Sequence, residues 1–469
     1  MTGETLRPKK KLKLPSVDVD VKTKRSEAPK EEESSPIPGN NGKCKPCSFS
    51  SLPFPLRFGK SLNLWFWSTF SNKSAEHVIS VIREDANMIE TVDIGAALWD
   101  HLEAAELNQV LYTIGGLYNL KWLSFSLLSP AGPKCKSISI NLLSSILTKT
   151  KKLEFLLLKN ACLVGSKSEW LDFTCVLKTH QKLLQVSLEN FSFQDSQIGL
   201  GELTLALVCI PTLQVVEIMY IGQPMTTTSW SSKLMSALTT LLRGALFLRV
   251  LRLSGLDFQD EDIAEFSLAL RHHQMLQRLC LWETTITDQG LHYLAEALAG
   301  NNSVVILNLN DNKHLTSRGC EALFDRLQKP TLAPLCKKNG DNISSLQEVY
   351  ISCRDMNKEC RRALLGFLRR NVTVRKVEVC FSWPRNTTVN DLAFFQREVK
   401  AIVNSQSVLE YVHLFSDPLL ESPREVCLTD NDAAAMHLQW DLLWRPAKEE
   451  DGDENCDTTE TADVGKRER

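Results

Sequence analysis

The sequence predicts an α/β fold: a curved solenoid with parallel strands on its concave face, helices on its convex face and disordered termini. Three observations carry that expectation. An apolar hexad, Leu-x-x-Leu-x-Leu with Val, Ile or Phe allowed, recurs along the chain. Helix-period apolar patterns run between the hits, and both ends lack the apolar residues that a core requires.

The hexads come first. Leu248, Leu251 and Leu253, then Leu276, Leu279 and Leu281, then Val304, Leu307 and Leu309 stand at successive steps of 28. Looser hits extend the series to eleven units, starting at residues 89, 120, 153, 183, 213, 248, 276, 304, 346, 374 and 409. The fourth and sixth positions are two residues apart, so they leave a short strand on the same side and face inward. Between hexads, Ile263, Phe266 and Leu270 fall at i, i+3 and i+7, as do Leu291, Leu294 and Leu298. Those helices follow turn and cap signals, Asp260-Glu261-Asp262 and Thr287-Asp288-Gln289-Gly290. One strand and one helix of this size cannot cover each other's apolar faces, but stacked neighbours can. Because a helix is wider than a strand, the stack bends.

The flanks divide the chain further. Residues 1–50, rich in Lys, Glu, Pro and Ser, form a basic and polar tail too poor in apolar surface to offset its ordering entropy. Residues 51–88 read as an N-terminal cap or atypical first repeat, with Leu62, Leu64, Trp65, Phe66 and Trp67 followed by a helical pattern from Ala75 to Asn87. The solenoid occupies 89–445, with a loop bulging at Lys329 to Asp341 and a closing helix or edge strand at Ala433 to Trp444. Residues 446–469 form a disordered acidic tail.

The stretch Asp288-Gln289-Gly290-Leu291, Leu294-Ala295-Glu296-Ala297-Leu298, Asn301-Asn302-Ser303-Val304 and Leu307-Asn308-Leu309-Asn310-Asp311-Asn312 resembles the leucine-rich repeat of the ribonuclease-inhibitor type. Thr316 to Leu323 continues it. The likeness is close over about 245–328 and looser over roughly 60–415, and it implies a leucine-rich-repeat horseshoe solenoid. In that family a ninth-position Asn or Cys bonds the backbone at the turn. Here only Asn312 keeps it, while Ala161, Phe191, Leu256 and Thr284 occupy the position elsewhere.

Composition narrows the function. The 469 residues carry 54 Lys plus Arg against 56 Asp plus Glu. A formal charge of -2 argues against a whole-molecule electrostatic grip on nucleic acid or an anionic bilayer. Lys9, Lys10, Lys11 and Lys13 lead into polar sequence instead of a secretory apolar core. The most apolar run, Leu203 to Val216, is too short to span a membrane and reads as a buried helix-to-strand segment. Of fourteen cysteines, only Cys44 and Cys47 form a Cys-x-x-Cys, without a second pair to complete a zinc site. Others, such as Cys209 and Cys280, lie in apolar runs and read as reduced core or strand residues. Gly39-Asn40-Asn41-Gly42-Lys43 is too short for a phosphate loop, and His272-His273 reads as a helix end where polar side chains meet bare carbonyls. The expectation is a protein that is not an enzyme and uses no cofactor or metal.

The chemistry is therefore expected on the outward side of the strands. Positions two, four and six residues after each unit's first apolar residue place Trp122, Phe155, Leu157, Glu189, Glu217, Met219, Arg252, Arg278, Trp282, Tyr350, Lys376, Glu378, Tyr411, His413 and Phe415 there. Aromatic rings beside single charges are the composition of a protein-binding surface. Alternatively, a loop or a one-residue register slip buries Phe155, Leu157 and Met219. The function expected is an intracellular interaction scaffold that binds a protein partner through the concave face, with a monomer favoured and no membrane or sequence-specific nucleic-acid partner. Two rivals are a GTPase-activating protein similar to the Ran GTPase-activating proteins, which share the repeat number and an acidic tail, and an enzyme inhibitor in the manner of ribonuclease inhibitor. The basic clusters Lys9, Lys10, Lys11 and Lys13 with Lys22, Lys24 and Arg25 resemble a bipartite nuclear import signal, though a solubilising tail has the same composition. The expected location is cytoplasmic, with nuclear entry if those clusters act.

Overall fold

Wherever the hexad recurs, the chain forms a short strand with its fourth and sixth residues buried. The computed structural model describes residues 57–64, 75–127, 136–190, 192–193, 200–220, 228–328, 345–382, 387–416 and 441–444. All of them fall within one compact unit, Leu52–Arg469. The tails 1–50 and 446–469, with the import-signal lysines and Cys44 and Cys47, lie outside the described residues, as does the loop expected at Lys329 to Asp341.

The elements alternate in chain order. They begin with β1 (Arg57–Phe58), β2 (Ser61–Leu64), α1 (Ala75–Glu84), β3 (Thr91–Gly95), α2 (Ala97–His101), α3 (Ala104–Gly115), β4 (Trp122–Ser126), β5 (Lys136–Ser139), α4 (Ile140–Lys149) and β6 (Phe155–Lys159). Next come β7 (Ala161–Val164), α5 (Lys167–Lys178), β8 (Gln185–Glu189), β9 (Ser192–Phe193), α6 (Leu200–Leu207), β10 (Val215–Met219), α7 (Thr228–Gly244) and β11 (Val250–Ser254). The last are α8 (Asp260–His272), β12 (Arg278–Trp282), α9 (Asp288–Gly300), β13 (Ile306–Leu309), α10 (Ser317–Gln328), β14 (Glu348–Cys353), α11 (Lys358–Arg370), β15 (Lys376–Phe381), α12 (Val389–Ser405), β16 (Tyr411–Ser416) and β17 (Asp441–Trp444).

Among the described residues, fourteen strands form one sheet, in the order β1, β2, β3, β4, β6, β8, then β10 through β17. Every pairing from β2 to β16 is parallel and keeps one register: Leu62, Val92, Leu123, Leu156, Val186, Val216, Leu251, Leu279, Leu307, Val349, Val377 and Val412 stand side by side. All twelve are buried. The series thus runs one strand further than the eleven hexads, because β2 joins with only Leu62 and Leu64 of the pattern. At the two sides, β1 and β17 pair antiparallel to β2 and β16. Helices separate the strands of this sheet and neighbouring helices such as α8 and α9 pack together, with Ile263, Phe266, Leu270, Leu291, Leu294 and Leu298 all buried. The chain is an α/β repeat protein with a parallel sheet alternating with helices.

The link between strand and helix requires a specific backbone. The residue seven places after each hexad start has positive φ in five units: Asn160 (51°), Asn190 (47°), Gly255 (66°), Glu283 (52°) and Asp311 (59°). Asn, Asp and Gly tolerate this left-handed geometry best, and Glu283 adopts it at a cost of about 1–2 kcal/mol. After Asn160 and Asn190 the chain adds β7 and β9, which join β5 in a second parallel sheet of three strands. Helix starts are capped locally by Ser166 with Glu169, Thr287, Asn357 and Thr388 with Asp391. The expected cap at Asp260 is a correction. Gln259 precedes α8 without a side-chain cap, and Asp260 instead accepts the Thr287 hydroxyl of the next unit at 2.8 and 3.0 Å. Asp288 does the same for the Thr316 backbone N–H at 2.8 Å. These carboxylates tie neighbouring helix starts together.

Helix ends show a second recurrent device. Three residues before a hexad stands a buried polar residue: Thr150, His180, His273, Asn301 or Asn371. Asn301 Nδ2 donates to the Leu270 and His273 carbonyls at 2.6 and 2.9 Å, and its Oδ1 accepts the Ser303 and Val304 N–H groups. His273 Nδ1 accepts the Met275 and Leu276 N–H groups at 3.2 and 3.0 Å, leaving Nε2 to donate to the Ala245 carbonyl at 3.2 Å. An acceptor Nδ1 makes this imidazole neutral, so it serves as a hydrogen-bonding strut and carries no charge to the helix end. Burial lowers its pKa below the ordinary range of a histidine. The unfolded chain therefore binds the proton more readily, so this contribution to stability is complete above about pH 6.5 and is lost as the pH falls. His273→Asn should reproduce the bonds of Asn301 and flatten the acid side of a stability-versus-pH curve measured by urea unfolding. His273→Ala should cost about 1–3 kcal/mol at pH 7. An unchanged acid limb in His273→Asn would refute this account.

Candidate functional site

The outward residues of β2 to β16 form three rows across the sheet, because a common register places equivalent positions on adjacent strands about 4.8 Å apart. Every predicted outward residue with a described side chain lies in these rows, so no one-residue slip occurs. Phe155, Leu157 and Met219 are half-buried, and nothing is described of the Phe415 side chain.

At the β4 side, the rings of Trp122 and Phe155 lie 5.1 Å apart and 33° from parallel. The Trp122 indole N–H donates to Asp93 Oδ1 at 3.2 Å, and burial raises the pKa of that carboxyl. Further along, Lys159 pairs with Glu189 at 2.6 Å. Glu217 is the deepest charge on the face, with 10% of its side chain exposed. It accepts the Ser187 hydroxyl at 2.5 Å, Gln185 Nε2 at 3.3 Å and Arg252 Nη1 at 2.6 Å. Charge-assisted bonds of this kind compensate the desolvation of a carboxylate. Arg278 on β12 is exposed, and the Trp282 N–H donates to Asp311.

At the other side, Glu348 gathers Lys376 Nζ at 3.1 Å and the Tyr350 hydroxyl at 2.9 Å. Burial, with Glu348 as acceptor, pushes the Tyr350 phenol upward, so it stays a donor. Burial also raises Glu378, which has His413 Nδ1 4.0 Å away. The His413 ring lies 5.8 Å from that of Tyr411.

The face therefore differs from the expectation of exposed rings beside single charges. Among its described residues only Arg278 is exposed. Glu217 is buried, and Glu189, Arg252 and Lys376 are half-buried and paired. Sequence position missed the residues that complete these networks: Asp93, Lys159, Gln185, Ser187 and Glu348, with Asp311 just past β13. The first five stand at outward positions, and polarity at those positions was the signal that could have found them. Cys209 is also corrected. It is exposed after α6, since the apolar run places it past the helix on the solvent side.

Chemically, this is a surface of fixed donors and half-covered rings. The Cys280 thiol is pushed upward by burial, which disfavours a reactive thiolate. Among the described residues, no group of three or more His, Cys, Asp or Glu side chains is placed to hold a metal ion, and no helix is long and apolar enough to cross a membrane.

No family model matches the sequence. No curated protein matches it. Among solved structures, the chain is similar to one in the crystal structure of the Rad7 and Elc1 complex in yeast, at 13% identity over 68% of this chain and 76% of that one. The TM-score of 0.36 makes this a distant likeness that carries no argument.

Proposed function

We propose that the protein is a non-enzymatic interaction scaffold, a leucine-rich-repeat horseshoe of the ribonuclease-inhibitor type that holds a protein partner in its concave strand face. The observation that supports this reading most is the registered face itself. Trp122, Phe155, Trp282, Tyr350 and Tyr411 are half-buried and half-available, and several are anchored by hydrogen bonds that fix their orientation before any partner arrives. Rings held in this way supply contact area at low entropic cost, and energetic hot spots concentrate on such residues. We place its work in the cytoplasm, with nuclear entry if the clusters around Lys9 and Lys22 act in import.

The test is capture of co-purifying chains from the native cell. The Trp282→Ala, Tyr350→Ala double substitution should reduce capture by more than tenfold, at about 2 kcal/mol or more per hot-spot ring. The thermal melt should move by only a few degrees, because neither ring belongs to the core. Undiminished capture by a folded double variant would end this reading, and acceleration of GTP hydrolysis by small GTPases would replace it with the GTPase-activating one.

A further inference from the structure

Arg278 differs from the other outward residues of β2 to β16. It alone among those described is exposed, and its immediate neighbours in the same row are apolar on both sides, with Glu348 one strand beyond Ile306. The register places it between Val250 on β11 and Ile306 on β13, with Val215 one strand beyond, all three half-buried. Arg252 sits two residues along β11, level with Cys280. A strand step of about 4.8 Å and a two-residue rise of about 6.6 Å separate the two arginines at the backbone. Side chains of this length can converge on one group from that separation.

Arg252 is also held in place. Glu217, itself fixed by Ser187 and Gln185, takes Nη1 at 2.6 Å, while 43% of the arginine side chain remains exposed. A guanidinium has five N–H donors, so one carboxylate contact leaves donors for a second acceptor. Glu217 offsets the charge of one arginine, so the Arg252–Arg278 pair keeps one positive charge on an apolar row. The geometry points to a carboxylate-recognition site at Arg252 and Arg278 that takes an Asp or Glu side chain of a protein partner. The acidic residue lies within an extended apolar segment, whose flanking side chains cover Val215, Val250 and Ile306. Val215 to Ile306 is three strand steps, about 14 Å, which four or five extended residues span. This inference rests on the strand-face reading above and specifies its partner.

The experiment selects random 12-residue phage-displayed peptides on the full-length chain, with counter-selection on Arg278→Glu. Enriched sequences are then synthesised with amidated C-termini, which excludes a terminal carboxylate as the source. Enriched peptides should carry Asp or Glu flanked by apolar residues, and should bind Arg278→Glu about 30-fold or more weakly, as expected when a desolvated charge pair is broken and reversed. Replacing the peptide's acid by Lys should restore part of the binding to Arg278→Glu and remove it from the wild type. Arg278 is exposed, so its substitution should leave the melt unchanged. Arg252→Lys, which keeps a cation for Glu217 but loses the fork, should weaken binding to a smaller degree. Peptides that need Trp282 and Tyr350 but lack an acid, or that ignore Arg278→Glu, overturn this inference and leave the strand-face reading standing. Failure to enrich any peptide that depends on these residues overturns both.

Discussion

Gly255→Ala should destabilise the protein by about 3–5 kcal/mol, more than any other single methyl added to a turn of the repeats. Two causes act together. Gly255 has a φ of 66°, and a Cβ built there would lie 1.9 Å from the Tyr220 carbonyl oxygen. That oxygen belongs to main chain that is itself tied down, since the Tyr220 N–H donates to the Ser254 carbonyl at 2.9 Å and cannot yield without loosening the adjoining unit. Gly59 supplies the control. Its φ is 58°, but nothing lies within 4 Å of its added Cβ, so Gly59→Ala should show the conformational penalty alone, about 1–2 kcal/mol. Urea unfolding of both variants separates the steric from the conformational part. Equal losses at the two positions would mean that the close approach to Tyr220 has no energetic consequence.

Asn312→Ala should be nearly as damaging and should act differently. The Asn312 side chain is buried between two units. Its Nδ2 donates to the Leu281 and Leu309 carbonyls at 2.8 and 2.9 Å, and its Oδ1 accepts the Thr284 N–H at 2.9 Å and the Thr284 hydroxyl at 2.6 Å. Alanine leaves those groups buried without a partner, at about 1–3 kcal/mol for each that finds no water, or about 3–5 kcal/mol in all. Repeat arrays derive their cooperativity from neighbour interfaces, so the damage should divide the unfolding transition at this junction. Hydrogen exchange should show β12 and β13 losing protection well before β4 and β6. Uniform loss across the sheet, or a change below 1 kcal/mol, would refute this role for Asn312.

The parts of the fold that were legible are those for which burial demands one residue class at a fixed spacing. Leu251 and Leu253 must be apolar because both reach the core, and the same demand repeated down the chain exposes the period. β2 escaped because Gly59 stands where its first apolar residue would be, while Leu62 and Leu64 still fill the core. The left-handed position was written in Asn160, Asn190, Gly255 and Asp311, but Glu283 hides the rule when units are read one at a time. The struts His273 and Asn301 were harder to see, because Asn and His make equivalent backbone bonds with different atoms. Alternation also placed the outward rows correctly. It could not show that Glu217 is covered and Arg278 is not, since that depends on Ser187 and Gln185 reaching from one adjacent strand and Arg252 from the other.

The strands at the two sides of the large sheet have a consequence for its edges. A run of like-oriented strands contains no instruction to stop, and its last member offers a ready template to the first member of another copy. Here β1 and β17 run against the direction of their neighbours, so a second chain approaching either side meets reversed polarity and finds no continuation of the pattern. These two short strands leave only a brief, reversed edge at each side of the described sheet.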